Sequence, residues 1–181
     1  MAAEPTGPPE VEIIEVGVER LVDIGPLWRA MHDNDSEVVG EAREVTPLRS
    51  SQSSWRRRRV EFEGWIRAGE GHLLIAEHDG SPAGFAFYRI CRGDLSFETD
   101  ERMGELEALS VEPDLRRWGL GSLLMEAVEE RLAAAGIEFM GLAIISGNAD
   151  ALRFYERWGI VPSHVRCLGR ILPGNDTAEA G

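Results

Sequence analysis

Short apolar runs, several with alternating polar positions, predict six β-strands. The fourth is Glu-Leu-Glu-Ala-Leu-Ser-Val, followed at once by Glu112-Pro113. Two of the runs flank the sequence HDGSP, which is typical of a hairpin turn. Because strands rich in β-branched and aromatic residues end at Gly, Pro and Asp clusters, we place the strands at 11–19, in the two halves of 71–91, and at 104–111, 138–145 and 164–172.

Four other segments repeat apolar residues at helical intervals. We expect helices within 19–35 (interrupted near Pro26), 53–69, 119–136 and 149–159. Ser residues ahead of the second helix are suitable N-caps, and Gly69 and Gly159 are suitable helix ends. Residues 37–54 contain many helix breakers and are predicted to form a loop.

The predicted order is β-α-α-β-β-β-α-β-α-β. The consecutive strands of the first half require antiparallel hairpins, whereas the strand–helix–strand unit 105–145 requires a right-handed parallel crossover. The pattern therefore predicts a mixed α+β fold with one sheet. The small, polar or Gly/Pro-rich segments 1–10 and 174–181 are expected to be flexible tails around a single domain, 11–173.

The fourth strand changes the side on which its apolar residues lie. Leu106 and Ala108 occupy even positions and so should point to one face of the strand, whereas Leu109 and Val111 occupy odd positions and should point to the other. A β-bulge between 108 and 109 would explain the change and would leave backbone groups free for a ligand. A strand buried on both faces would explain it equally well.

Glu105 and Glu107 project from one face of the same strand. Solvated glutamates are common at the edge of a sheet. The alternative is that one of the two carboxylates acts as a base beside a reaction centre.

The start of the third helix is unusual because it has no acidic residue before Glu126. The preceding sequence instead carries Arg116, Arg117, Gly119 and Gly121. A helix start presents unpaired N–H groups and partial positive charge, and glycines allow close approach of the backbone. This combination predicts an anion site that suits a phosphate or pyrophosphate.

Two alternatives remain for this turn. It could be a simple turn with solvated arginines, or a dinucleotide-binding loop. The second fails on spacing, because the third small residue is replaced by Leu124 and no acidic residue ends the following strand.

Composition excludes several classes of chemistry. The chain has 181 residues, a net charge of −13 and 19 basic residues, all of them arginine. Without lysine there is neither a P-loop nor a lysine Schiff base. The negative charge disfavours nucleic acid and anionic lipid as partners, and the apolar runs are too short to span a bilayer.

Cysteine and histidine residues do not suggest a metal site. Cys91 and Cys167 lie far apart in strand-like surroundings, so we expect reduced core thiols, and the four histidines lack ligand spacing. The acidic, proline-rich N-terminus does not resemble a signal peptide. These observations predict a cytoplasmic protein without a metal.

Two segments together resemble the GNAT (Gcn5-related) N-acetyltransferases. Residues 109–132, with Arg116-Arg117-Trp118-Gly119-Leu120-Gly121, are similar to the family's acyl-CoA-binding motif, and 148–162 is similar to its second motif. The resemblance covers roughly 11–172. It implies an α/β/α sandwich in which a bulged central strand and the parallel strand beside it form a wedge that holds acyl-CoA.

The resemblance also implies which residues bind acetyl-CoA. The backbone at 116–121 would hold the pyrophosphate, β-strand backbone near 109–111 would bond the pantetheine arm, and Asn148 matches a pantetheine contact. The candidate cofactor-binding residues are therefore Leu109, Ser110, Val111, Arg116, Arg117, Trp118, Gly119, Leu120, Gly121, Ser122 and Asn148.

For catalysis, Tyr155 matches the family's general acid, and Glu105 lies where several members carry the base. Glu107 is the second candidate base. The expected reaction is direct attack of a primary amine on the thioester of acetyl-CoA, with a small cationic amine or a peptide amine as acceptor. A non-catalytic acyl-CoA sensor is the alternative, and homodimers are common in the family.

Trp28, Trp55 and Trp65 are expected in the core. The four consecutive arginines at 56–59 project in nearly all directions around a helix and so do not form one face. We expect them to be solvated or paired with Glu61 and Glu63, and contact with the acceptor is the alternative. Trp118 could lie near the adenine or in a subunit contact.

Overall fold

The computed structural model of the chain describes residues 10–170. It divides into two compact units. In the described part, the first comprises residues 10–34 and 50–143, and the second comprises 35–49 and 144–170. The predicted tails lie largely outside the described residues and remain predictions.

One five-stranded sheet organises the first unit, and it confirms the predicted mixed α+β class. The four antiparallel strands follow one another in chain order, and the fifth pairs in parallel with the fourth. The strands are β1 (Val11–Val16), β2 (Gly71–His78), β3 (Ser81–Arg92), β4 (Arg102–Val111) and β5 (Met140–Leu142).

The turn between β2 and β3 follows the hairpin prediction. Asp79 and Gly80 both have positive φ, 49° and 71°. A two-residue turn with positive φ at both positions matches the right-handed twist of the strands that it joins.

The helices are close to their predicted positions, with one correction. They are α1 (Gly25–Val38), α2 (Ala42–Val45), α3 (Ser51–Arg67), α4 (Leu120–Ala134) and α5 (Ala149–Glu156). The prediction of a loop over 37–54 was wrong in part, because the short α2 and the first turn of α3 lie within it. Ser50 caps α3 by accepting a hydrogen bond from the Ser53 amide, so the helix begins two residues before the segment that the pattern marked.

One face of the sheet packs against α1 and α3 through an aromatic core. Phe62 of α3 stacks on Phe87 of β3 with ring centroids 3.7 Å apart, and Trp28 and Trp55 pack around them. Trp28 and Trp55 are 6% exposed, which confirms their core placement, and Trp65 packs against the core while partly exposed.

The opposite face of the sheet packs against α4. Buried residues on this helix include Leu120, Leu124, Val128 and Leu132, as the helical spacing predicts. Gly104 of β4 leaves the space that Leu132 fills, since a Cβ there would lie 2.6 Å from a Leu132 methyl carbon. Leu123 has the same helical spacing but is 41% exposed.

Strand β4 contains the predicted bulge, but at a different residue. Phe87 pairs with Ala108 and Tyr88 pairs with Leu106, so Glu107 is the extra residue, and the predicted position between 108 and 109 was wrong. Because of the bulge, Leu106 lies on the α4 face with Gly104, while Ala108 joins the core under α1 and α3. Parity alone placed these two residues on one face, which is why the position was missed.

Two predictions about strands were wrong. The strand predicted over 138–145 is reduced to the three residues of β5. Residues 164–170 form no strand, and the last two residues of that prediction lie outside the described part. Cys167 is consequently exposed instead of buried in the core, and Cys91 is partly exposed; both are free thiols.

Candidate functional site

In the first unit, β4 extends beyond the end of β5 and so has a free edge. They pair only from Gly104 to Leu106, where the Gly104 amide donates to the Phe139 carbonyl at 2.9 Å. Beyond Leu106, β4 continues to Val111 without a β5 partner among the described residues.

The bulge decides which backbone groups lie along this free edge of β4. The backbone N–H of Gly104 points toward β5. Because the hydrogen-bonding groups of successive residues point to alternate sides of a strand, the backbone groups of Leu106 point toward β5 as well. The extra residue, Glu107, reverses this alternation for the residues that follow it. The backbone groups of Leu109 and Val111 therefore turn toward the side on which β5 has ended.

Ser110 points the other way. It is 5% exposed, and its hydroxyl donates to the Leu27 carbonyl at 3.2 Å. A cofactor contact by Ser110 would have to use the backbone, because the side chain is already satisfied.

Glu105 lies half-buried at the point where β4 and β5 are paired. Its partner residue on β5 is Gly141, where a Cβ would lie 2.9 Å from the Glu105 carboxylate, so glycine leaves room for this side chain. Burial and the negative charge of Glu107 raise the pKa of Glu105, against the opposing effect of Arg89. Within the described part of the chain, its carboxylate forms no hydrogen bond or ion pair.

Glu107 is held much more firmly. Its carboxylate accepts hydrogen bonds from Arg58 of α3 at 3.1 Å and from Arg89 of β3 at 2.7 Å. Sequence reasoning did not find this contact, although it paired the arginine run with nearby glutamates; the Arg58–Glu61 pair, 3.3 Å, confirms that part. Only the pairing of Arg89 with Glu105 across the strands could have signalled it, and that needs the register of the sheet.

The turn after β4 delivers the uncapped helix start that the sequence predicts. Arg117 and Gly119 have positive φ, 79° and 83°. Gly119 occupies the N-cap position, so the helix start has no hydrogen bond from a capping side chain. The first turn of α4 carries no acidic residue. In the described part of the chain, the amides of Gly119, Leu120 and Gly121 find no acceptor.

The side chains around this turn are exposed. Arg116 and Arg117 make no ion pair with another described residue, and Trp118 is 36% exposed. Gly119 at positive φ is a position that L-residues disfavour, whereas Arg117 adopts it at a cost. The geometry leaves donors and guanidinium groups available to an anion.

Asn148 and Tyr155 belong to the second unit. The Asn148 side chain caps α5 by accepting from the Ala151 amide at 3.0 Å and donates to Asp35 at 3.0 Å. Burial and the charge of Asp35 raise the pKa of Tyr155 to about 12, so its phenol stays protonated at neutral pH.

Two other kinds of site are absent from the described residues. No cluster of three or more His, Cys, Asp or Glu residues there has an arrangement that could hold a metal ion. Among the same residues, no helix has the length and apolar character needed to cross a membrane.

Comparison with known proteins gives consistent matches. The profile of the acetyltransferase (GNAT) family matches residues 36–160, well over half of the chain. A mycothiol acetyltransferase of Actinosynnema mirum is 32% identical over 88% of this chain and 50% of its own length. An L-methionine sulfoximine/L-methionine sulfone acetyltransferase of Pseudomonas paraeruginosa is 33% identical over 81% of this chain and 78% of its own.

Another mycothiol acetyltransferase, from Acidimicrobium ferrooxidans, is matched over only 34% of its length, and the chain spans between a quarter and a half of the mycothiol acetyltransferases that it matches.

Solved structures share the fold at low sequence identity. A GCN5-related N-acetyltransferase of Ralstonia eutropha superposes with a TM-score of 0.69 at 19% identity, over 91% of this chain and all of the other. An aminoglycoside N-acetyltransferase in complex with CoA gives 0.65 at 18% identity, over 93% of this chain and 99% of the other. Together with the bulged strand, the free edge of β4 and the uncapped turn, the family profile and the curated relatives show that the chain belongs to the GNAT acetyltransferase family.

Proposed function

We propose that this chain transfers the acetyl group of acetyl-CoA to a primary amine, which attacks the thioester directly. The observation that carries the proposal is the bulge at Glu107. It frees the edge of β4 beside the Glu105 carboxylate, a few residues before an uncapped, arginine-flanked helix start. The two curated relatives that match most of this chain are named acetyltransferases, which supports this class of reaction.

Acetyl-CoA, the substrate that supplies the acetyl group, suits the donors of this region. The pyrophosphate would accept hydrogen bonds from the free amides at the start of α4 and charge-assisted bonds from Arg116 and Arg117. The amide-rich pantetheine arm would pair with the backbone of Leu109 and Val111 along the free edge of β4. Ser122 and Asn148 are the remaining polar candidates for contacts.

Glu105 is the better candidate base of the two glutamates. Its carboxylate is free of ion pairs to described residues, and its raised pKa brings it closer to neutral pH, where a base works best. Glu107 is occupied by two guanidinium groups, which would have to release it before it accepted a proton. The amine nitrogen would give its proton to Glu105 directly or through a water molecule.

The remaining steps stabilise and then neutralise the negative charge that develops on the thioester. As the nitrogen–carbon bond forms, negative charge develops on the carbonyl oxygen, which a backbone N–H near Leu109 would stabilise. The carbon–sulfur bond then breaks, and we assign Tyr155 to donate the proton that neutralises the leaving thiolate. A phenol with its pKa at about 12 is fully protonated at neutral pH and able to donate.

The acceptor is proposed to be a small amine. Relatives that match this chain are named for L-methionine sulfoximine, L-methionine sulfone and mycothiol, and a fold neighbour is named for aminoglycosides. The net charge of −13 favours acceptors that carry positive charge. A peptide amine is the second class within the same reaction.

A thiol-release assay tests the proposed function. The protein is incubated with acetyl-CoA and a panel containing L-methionine sulfoximine, L-methionine sulfone, an aminoglycoside, a polyamine and a peptide with a free N-terminus. Free CoA appearing only when a particular amine is present is the expected result. Tight acetyl-CoA binding without thiol release across the panel would instead favour a non-catalytic acyl-CoA sensor.

A further inference from the structure

Glu107 is the one residue that the bulge inserts into β4, and its side chain lies on the same face as Glu105. Its side chain is only 13% exposed. Arg58 and Arg89 reach it from two different elements, α3 and β3, at 3.1 and 2.7 Å. An ion cluster of two arginines and one glutamate therefore surrounds the bulge.

The two arginines of this cluster are themselves fixed by aromatic rings. The Arg58 guanidinium lies 5.4 Å from the ring centroid of Trp28 and 5.7 Å from that of Phe62. The Arg89 guanidinium lies 4.1 Å from the Trp65 ring centroid. Stacking on aromatic rings limits the motion of a guanidinium. The charge of Glu107 is thus held in one place.

Arg89 has a second carboxylate within its reach. It is the cross-strand partner of Glu105, so the two residues lie directly opposite each other on β3 and β4. Arg89 nevertheless bonds to Glu107 and leaves Glu105 without an ion pair among the described residues. The bulge residue diverts the nearest positive charge away from the candidate base.

We propose that Glu107 is a positioning residue for the candidate base, Glu105. It holds Arg89 away from Glu105 and keeps a fixed negative charge beside the Glu105 carboxylate. This inference rests on the proposed role of Glu105. It assigns the second glutamate a purpose other than proton transfer, and it explains why both carboxylates lie on one face. Arg58 supports the arrangement by anchoring Glu107 from α3.

Each neighbour of Glu105 acts on its proton affinity with a definite sign. Burial and Glu107 raise the pKa of Glu105, and Arg89 lowers it. From β5 the facing residue is Gly141, which carries no charge. Among the described residues, the titratable and charged groups that face this region are Glu107 on β4, Arg89 and Cys91 on β3, Glu70 just before β2, and Arg58 with its partner Glu61 on α3.

Two substitutions should therefore shift the pKa of Glu105 in opposite directions. Glu107→Gln removes the like charge and releases Arg89 to pair with Glu105, so the pKa of Glu105 should fall by about one unit. Arg89→Gln removes the attractive charge and leaves Glu107 in place, so the pKa of Glu105 should rise. A merely structural role for the cluster would not produce shifts of opposite sign.

Carbon-13 NMR of glutamate side chains measures this directly in the full chain, without any acceptor. The Glu105 carboxyl resonance is identified by its loss in Glu105→Gln and is titrated in each variant. Glu61→Gln is the matched control, because it removes another partner of Arg58 that is 55% exposed, and it should leave the Glu105 titration unchanged. Glu107→Asp should restore part of the wild-type value.

Opposite shifts in Glu107→Gln and Arg89→Gln support the proposal. Unchanged titration, or shifts of the same sign, would overturn it. If Glu107→Gln does not fold, Arg89→Gln alone decides, since a fall or no change in the pKa of Glu105 contradicts the proposed arrangement. Because the titration needs no acetyl transfer, it stays separate from the outcome of the thiol-release assay.

Discussion

Glu105 and Tyr155 are both shifted toward their protonated forms by burial, and each shift suits a different half of the proposed reaction. A raised pKa brings the Glu105 carboxylate nearer to the pH at which a base is most effective, and it keeps the Tyr155 phenol neutral as a proton donor. Both residues were singled out from the sequence as catalytic candidates, and their roles remain predictions. Arg58 and Arg89 were not assigned to Glu107, because their contacts join residues far apart in the chain.

Tyr155→Phe should reduce turnover at least tenfold while leaving the Kd for acetyl-CoA unchanged, because it removes a proton donor and little volume. The matched control is Tyr88→Phe, which changes the other tyrosine of the chain; its pKa is also raised to about 12 by burial. Steady-state kinetics with calorimetric binding separates the effects. Equal turnover in the two variants would remove Tyr155 from the mechanism.

The pH dependence of turnover tests the same assignment. A phenol with its pKa at about 12 stays protonated as the pH passes the ordinary tyrosine value near 10. Wild-type kcat should therefore not decline through that region on account of Tyr155. A decline centred near pH 10 that disappears in Tyr155→Phe would show that the donor has an ordinary pKa.

Glu105→Gln should lower kcat roughly a hundredfold and abolish the low-pH limb of the rate profile. It should also stabilise the fold. A carboxyl group whose pKa is raised on folding favours the native state at low pH, and that contribution is lost as the pH rises through the folded pKa. Chemical denaturation should show Glu105→Gln to be the more stable protein at pH 8 and not at low pH. Equal stability at both pH values would contradict the raised pKa.

At the level of elements, the bulge in β4 and the start of α4 together produce the candidate site. The sequence predicted that a bulge exists from the change in parity of apolar residues. Its position was missed because Leu106 and Ala108 have the same parity yet lie on opposite faces once Glu107 is inserted. Nor could local pattern predict the shortness of β5, since pairing partners decide how far an apolar run continues as a strand.

The turn before α4 was predicted more completely, because its signal is local. Gly119 and the absence of an acidic residue are visible in the sequence, and the structure adds the φ of +83° and the missing cap. The last predicted strand shows the opposite case. Residues 164–170 were predicted as part of a strand, yet they form none in the structure.

Gly119→Ala should weaken acetyl-CoA binding about tenfold. Space is open around a Cβ at this position, so the cost comes from the left-handed backbone, roughly 1–2 kcal/mol, and the turn would relax away from the geometry that presents its amides. Gly136→Ala is the matched control, with a φ of +70° and open space at the other end of α4. Calorimetry should show weakened binding in Gly119→Ala only; equal affinity in both variants would contradict the anion site.

At the level of the whole molecule, charge is the property most relevant to the acceptor. The net charge is −13, and every basic residue is an arginine. Such a surface attracts cations over distances comparable to the Debye length, about 10 Å at 0.1 M salt. Composition alone predicts this preference for cations, but it does not specify the acceptor, because the sign of a field does not define a shape.

Salt should therefore raise the KM of a polyamine or aminoglycoside acceptor several-fold between low ionic strength and about 0.5 M, since screening shortens the reach of the field. The KM of a zwitterionic acceptor such as L-methionine sulfone should change much less. Initial rates at saturating acetyl-CoA give both values. Equal salt dependence for the two classes would show that net charge does not select the acceptor.

Mass spectrometry of the amine after incubation with isotopically labelled acetyl-CoA tests the central claim most directly. The account predicts that the labelled acetyl group appears on the nitrogen of at least one amine of the panel, and that Glu105→Gln and Tyr155→Phe slow its appearance while Tyr88→Phe does not. Bound but intact acetyl-CoA with every amine, under conditions in which the wild-type protein is folded, would contradict it.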